Sequence, residues 1–167
     1  PKYAQELVDG LDTIDFPENV SLLQKDWLGR SEGAEIAFQL ESDLGEVRVF
    51  TTRPDTLFGV TFLTMAPEHP MAAGLMAGRP EEAAWRELRD EVALLSEFDR
   101  IKQMKKKKGI FSGLHVIHPL TGERIPMWFG NFVIASYGTG AVMAVPGHDQ
   151  RDFEFATTCG LPVRRVI

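Results

Sequence analysis

The chain of 167 residues is 44% hydrophobic and 25% charged, which is the size and composition of one globular domain with a single substantial core. Its net charge of −6 and pI of about 5.2 exclude a broad basic face able to grip a phosphate backbone unaided, so nucleic acid must be held by a few local contacts or by another module. A single cysteine, Cys159, excludes an internal disulfide and any zinc site built on several thiolates, and it suits the reducing cytoplasm.

No apolar run approaches the roughly 18 residues of a membrane span, and no basic segment followed by an apolar one opens the chain. Pro1 stands where an initiator methionine would, and Val166-Ile167 end the chain without a polar tail. The expectation is one domain, residues 1–167, excised from something longer.

Taken in chain order, the first element is a hairpin: EIAFQL (35–40) and the cleanly alternating EVRVFTT (46–52), joined through Asp43-Leu44-Gly45. VTFLTM (60–65) is the next strand. Pro80-Glu81-Glu82 opens a helix with proline near N1 and acids in its first turn, and Trp85, Leu88, Val92 and Leu95 give it one apolar face. Ser96, with Asp99 three residues on, predicts a second helix that ends in Lys105–Lys108 before Gly109. The macrodipole explains the position of those lysines without an RNA contact. Strands follow at LHVIH (114–118), RIPMWF (124–129), NFVIASY (131–137) and AVMAV (141–145), with Thr121-Gly122 and Gly138-Thr139-Gly140 as turns. The fold class is therefore α+β, a β-barrel-like core of short strands, closed or strongly curved, with peripheral helices.

Two stretches concentrate chemistry. In YGTGAVMAVPGHDQRD (137–152), Asp149 and Asp152 fit the N-cap and N3 positions of a helix stopped by Gly160 and Pro162. Capping does not explain why Pro146, Gly147 and His148 crowd the strand-to-helix corner, a common place for a binding site. In TTRPDT (51–56), Pro54 cannot donate to a ladder and Thr52 with Asp55 fits a capping pair. Three threonines, an arginine and an aspartate within six residues also suit a pocket shaped to within a methyl group. Pattern alone leaves both interpretations open.

Familiar catalytic sets fail. No serine has the glycines of a nucleophile elbow, and Cys159 sits on an apolar helical face as a structural thiol would. His148 and Asp152 are spaced for two ligands on one helical face, but His69, His115 and His118 lie in other segments without a ligand pattern, so no metal site is expected. Gly138-Thr139-Gly140 lacks the third glycine of a dinucleotide fingerprint.

Together, WLGRSEGAEI (27–36), TTRPDT (51–56), HPLTGERIP (118–126) and GTGAVMAVPGHDQRD (138–152) resemble the editing domain inserted into bacterial-type leucyl-tRNA synthetases, over nearly the whole chain. The resemblance implies the editing-domain fold shared by the class I isoleucyl, valyl and leucyl enzymes. It also implies hydrolysis of the ester in tRNA(Leu) mischarged with norvaline, isoleucine or methionine, within a leucine-tRNA ligase. Neither the HIGH nor the KMSKS signature occurs, so the ATP and magnesium of amino-acid activation belong to the parent's synthetic site. Editing itself is expected to need no cofactor. The implied partners are the aminoacylated 3′ end of tRNA(Leu) and the remaining synthetase domains, in a monomer without membrane attachment.

The same resemblance implies roles. Asp152 holds the substrate's α-ammonium group, ionised under the influence of its helix N-terminus, and Thr56 shapes the pocket so that leucine is refused. Thr51 and Thr52 contact the carbonyl, the terminal ribose and the attacking water. Arg53 either aids the negative charge developing on the carbonyl oxygen or contacts the RNA end. Met143 and Val145, alternate residues of one strand, face the pocket together or belong to the core. Tyr137 contacts the terminal adenosine, while His148 and Asp149 line the amino-acid and nucleotide ends. The alternative from another class is a module that binds an aminoacyl or nucleotide end without cleaving it.

Overall fold

A computed structural model describes residues 3–28, 32–95 and 107–167. The chain divides into two compact units, Pro1–Glu32 and Gly33–Ile167. The smaller holds helix α1 (Ala4–Gly10), a 3-10 turn (Leu11–Thr13) and helix α2 (Glu18–Leu28). Pro17 precedes α2, and its carbonyl accepts the amides of Val20 and Ser21. Periodicity gives little signal here because Leu22, Leu23 and Trp27 stay exposed, so the apolar side chains do not mark one buried face.

The larger unit contains strands β1 (Ala34–Leu40), β2 (Glu46–Thr51) and β3 (Phe62–Met65), helices α3 (Ala72–Met76) and α4 (Glu82–Ala93), strands β4 (Gly109–Ile117), β5 (Arg124–Gly130) and β6 (Ala141–Ala144), and helix α5 (Gln150–Cys159). They form one six-stranded sheet in the order β2-β1-β4-β5-β3-β6, antiparallel except for β3 beside β5. The two end strands, β2 and β6, approach within 8 Å between Cα atoms, yet no ladder joins them among the described residues. The sheet is thus strongly curved and not a closed barrel.

Alternation along the strands sorts side chains onto two faces. Phe38, Val47, Val49, Leu63, Met65, Val116, Met127 and Phe129 share the main core, which Trp85 and Leu88 of α4 also join. Phe62 and Ala144 point the other way and meet Phe155 and Ala156 of α5. Burying the Phe155 ring contributes about 2–3 kcal/mol to holding that helix against the sheet. Asp152 precedes Phe155, Ala156 and Cys159 by three, four and seven residues, so the helical period carries it onto the same buried stripe.

One strand expectation changes. NFVIASY (131–137) forms turns instead of a strand, with Val133 donating to Gly130 O and Tyr137 to Ile134 O. The topology explains it: β3 occupies the place between β5 and β6, so this segment must cross over and finds no free edge to pair with. The expected helix opened by Ser96 falls on residues 96–106, outside those described. Of the lysine run, Lys107 pairs with Glu154 at 2.6 Å and Lys108 with Glu91 at 2.7 Å, which commits both to the protein's own surface.

The crossing ends at Gly140, whose carbonyl accepts the Ala66 amide just past β3. Gly140 has φ of +71°, and a Cβ there would lie 2.8 Å from His69 Cδ2 and 3.1 Å from Ala135 Cα. Gly140→Ala combines backbone strain with overpacking and is expected to destabilise the fold by roughly 1–3 kcal/mol. Urea unfolding of the variant beside wild type measures this, and an unchanged midpoint would contradict it.

Candidate functional site

The strand β2 delivers TTRPDT into a 3-10 turn, Pro54–Gly59, with proline at its start. The turn organises itself around Arg53. The Arg53 carbonyl accepts both the amide of Thr56 at 3.1 Å and its hydroxyl at 2.8 Å, while the Arg53 amide donates to Thr51 Oγ1 at 3.0 Å. The Arg53 guanidinium forks onto the Asp55 carboxylate at 2.7 and 2.9 Å. That pairing holds the Asp55 carboxyl below its ordinary range and raises Arg53 in turn. The expected Thr52–Asp55 cap does not form, because Asp55 is taken by Arg53 and no side chain caps this turn. Thr52 is exposed, whereas Thr56 is only 1% accessible.

The strand β6 delivers the second motif. Asp149 is the N-cap of α5, its Oδ1 accepting the amides of Arg151 at 2.7 Å and Asp152 at 3.2 Å. Asp152 does not complete a reciprocal box. The Asp149 amide donates to Val145 O, and Asp152 Oδ2 accepts the Val145 amide at 2.8 Å, tying the end of β6 to the first turn of the helix. Gly160, in the left-handed region, and the Leu161 amide bonded to Ala156 O close the far end as the sequence predicts.

Burial separates the two carboxylates. Desolvation of Asp152 on the packed stripe, with repulsion from Asp149, outweighs the Val145 amide and the charges of Arg151 and Lys107 and pushes its pKa up to about 6. The helix N-terminus alone predicts the opposite direction, so burial is the stronger influence. Asp149 is also partly desolvated, but the Arg151 guanidinium and the two amides prevail and lower it.

The corner residues have their own explanation. A Cβ on Gly147 would lie 2.3 Å from the Arg164 carbonyl oxygen, so only glycine admits the segment that runs back along this loop. The His148 ring accepts the Val166 amide at Nε2, 3.1 Å away, and the Gly59 Cβ position lies 3.5 Å from His148 Cδ2. His148 thereby ties the PGHD loop to the C-terminal segment and lies beside the end of the TTRPDT turn. Pro146, Gly147, His148, Asp149, Gln150 and Phe153 surround an open hollow of about 450 Å³.

Of the other expected residues, Tyr137 is 79% exposed on the crossing segment. Met143 and Val145 are buried in the main apolar cluster, as the core alternative has it. Thr56 and Asp152 are not among the walls of the hollow; His148 and Asp149 are. Sequence pattern missed His69, whose Nε2 lies 3.1 Å from the Thr139 carbonyl and whose Nδ1 accepts the Met71 amide, anchoring the GTG turn. It also passed over His118. Among the described residues no three histidine, cysteine or acidic side chains gather to hold a metal ion, and no helix is long and apolar enough to cross a membrane.

The curled α+β unit carries two polar loops, the TTRPDT turn and the PGHD loop, on one side of which the hollow opens. Residues 25–167 match the family described as leucyl-tRNA synthetase, editing domain. The chain is 48% identical over 165 residues to a leucine–tRNA ligase of Chlorobaculum tepidum and 53% identical over 170 residues to one of Xylella fastidiosa, covering 99% of this chain in each case. It spans about a fifth of the length of these curated relatives, 20% and 19%. A solved ternary complex of Agrobacterium radiobacter K84 agnB2 LeuRS with tRNA and LeuAMS matches with a TM-score of 0.80 at 40% identity, over 99% of this chain and 20% of that one. The chain belongs to the leucyl-tRNA synthetase editing-domain family.

The raised Asp152 pKa has a thermodynamic consequence. Because its folded value of about 6 lies above the ordinary carboxylate range, its contribution to stability is fully present below about pH 4 and is lost as pH rises through about 6. Asp152→Asn is therefore expected to gain stability over wild type between about pH 4 and pH 7, on the order of 1–2 kcal/mol after allowing for partial solvent screening. Urea midpoints of both proteins across that range test it, and a difference independent of pH would refute the burial cost.

Proposed function

We propose that this domain hydrolyses the aminoacyl ester of mischarged tRNA(Leu) as the editing site of a leucine-tRNA ligase. The observation that carries the proposal is the Asp152 carboxylate: one oxygen is fixed by the Val145 amide, and among the described residues Oδ1 accepts no hydrogen bond. Gln150 and Phe153, which flank it in the first turn of α5, line the hollow together with His148 and Asp149. At neutral pH a group titrating near 6 is mostly ionised, and an α-ammonium beside it would favour the ionised form further.

Water attacks the ester carbonyl, the bond to the ribose oxygen breaks, and free amino acid and a free terminal hydroxyl result. An aminoacyl ester is already activated, so alignment and electrostatics suffice, with a neighbouring ribose hydroxyl assisting proton movement and neither metal nor nucleotide required. Thr51, Thr52 and Arg53 serve the carbonyl, the ribose and the water. Tyr137, exposed on its crossing segment, suits stacking on the terminal adenosine. Met143 and Val145 form part of the packed wall, and ATP and magnesium act in the parent's separate synthetic site.

The need for such a site is physical. A synthetic pocket separates side chains that differ by a methylene or a branch by only about 1–3 kcal/mol, a general magnitude for synthetases of small apolar amino acids, and a second sieve removes what passes. Thr56 suits the wall of that sieve: buried, with hydroxyl and amide both committed to Arg53 O, it has little freedom to yield to a bulkier substrate. The substrates refused and accepted in this way are leucine on one side and norvaline, isoleucine and methionine on the other. The acidic charge assigns most phosphate contacts to the other synthetase domains.

Thr56→Ala in the full-length synthetase is expected to admit leucine, raising hydrolysis of Leu-tRNA(Leu) by about tenfold or more. Undiminished protection of the cognate product would remove Thr56 from that role. Asp152→Ala is expected to lower norvalyl-tRNA hydrolysis by roughly 10- to 100-fold while the domain remains folded. Retained hydrolysis would exclude the anchor, and a wild-type protein that binds the aminoacylated end without cleaving it would favour the binding-module alternative.

A further inference from the structure

His118 opens the HPLTGERIP segment just past β4 and is 1% accessible, the one histidine among the fully buried side chains of the described residues. Both ring nitrogens are engaged. Nδ1 accepts the amides of Leu120 at 3.1 Å and Thr121 at 3.2 Å, which shapes the turn between β4 and β5. With Nδ1 an acceptor, the proton is on Nε2, which donates to the Leu57 carbonyl 2.9 Å away. The hairpin turn requires only the first of these bonds. The second reaches across 61 residues of sequence to the 3-10 turn that carries Thr56.

The ring is itself held from two sides. Phe58 stacks on it with centroids 6.2 Å apart, and Phe38 meets it edge-on at 6.1 Å. The Arg164 guanidinium, forked onto Glu123 of the same hairpin, adds a contact to the Phe58 carbonyl at 3.4 Å. Thr56 is thus fixed on its N-terminal side by Arg53 O and on its C-terminal side through the Leu57 peptide.

We infer that His118 is a positioning residue for amino-acid discrimination: its Nε2–H holds the Leu57 carbonyl and thereby sets the place of Thr56. This rests on the proposed editing role of Thr56. The chemistry makes two roles separable. Asparagine puts an acceptor near Nδ1 and no donor at Nε2, so His118→Asn keeps the hairpin bonds and releases Leu57. Glutamine reaches the Nε2 position with a donor, so His118→Gln keeps the bond to Leu57 and gives up the acceptor for the hairpin.

The test measures hydrolysis of leucyl- and norvalyl-tRNA(Leu) by the full-length synthetase as wild type, His118→Asn and His118→Gln, with aminoacylation by the same samples as the control for folding. The expected result is a rise of about tenfold in the leucine-to-norvaline hydrolysis ratio for His118→Asn, and a ratio within about threefold of wild type for His118→Gln. A wild-type ratio in His118→Asn, or the same change in both variants, overturns the inference and leaves His118 as a hairpin residue. Should wild type hydrolyse neither ester, the editing function itself fails, and the inference with it.

Discussion

The amide of Val145 is the first backbone donor past the end of β6, and it finds its partner in a side chain, the Asp152 carboxylate, instead of in a neighbouring strand. This one hydrogen bond couples an edge strand of the sheet to the first turn of α5. It draws the carboxylate onto the side of the helix that also carries Phe155 and Ala156, where it loses much of its hydration. The N-cap Asp149 is also partly desolvated, yet it titrates low because the Arg151 guanidinium and two backbone amides outweigh that cost. The difference between two acids three residues apart therefore comes from the burial and the partners that each one's place on the helix gives it.

The curl of the sheet supplies the second constraint. In a flat sheet of this strand order, β2 and β6 would be the most distant pair, yet here they approach within 8 Å. The end of β2 lies against the segment that enters β6, where Gly138 faces Phe50, and the turn that follows β2 reaches the far end of β6 because β3 pairs there, Thr61 donating to Ala144 O, which sets Gly59 beside the His148 ring. Glycine at 147 is required because the chain at Arg164 passes where a methyl group would stand. What reads in one dimension as a crowded loop is the consequence of three backbone segments meeting.

Much of this was legible in the sequence. All six strands follow from short apolar runs bounded by turn residues, though β4 begins at Gly109, five residues before the expected LHVIH, and α4 and α5 follow from their end signals and apolar stripes, because these signals are local. NFVIASY misled since strand propensity says nothing about whether a free edge exists; β3 had already taken the place beside β5. α1 and α2 were missed because their apolar residues do not share a buried face. Both motifs were found by composition, but the direction of the Asp152 shift was not, since a helix N-terminus is visible in sequence and desolvation by Phe155 and its neighbours is not. His118 was passed over for a related reason: a histidine tested only against metal-ligand spacing shows nothing when its partners are backbone groups of a turn 61 residues away.

The proposed editing task is asymmetric, because leucine differs from norvaline by a single methyl group and from isoleucine only in where its chain branches. Attraction cannot achieve this, since any pocket that binds norvaline by apolar contact gains comparable contact energy from leucine. Exclusion can, but only if the wall does not move. A buried threonine whose hydroxyl is fixed at 2.8 Å on Arg53 O, in a turn whose next carbonyl is held at 2.9 Å by a packed imidazole, has the rigidity such a wall demands. The amide and hydroxyl of Thr56 are then spent on holding the turn's shape, whereas Asp152 gives one oxygen to the Val145 amide and keeps the other, among the described residues, without a hydrogen bond.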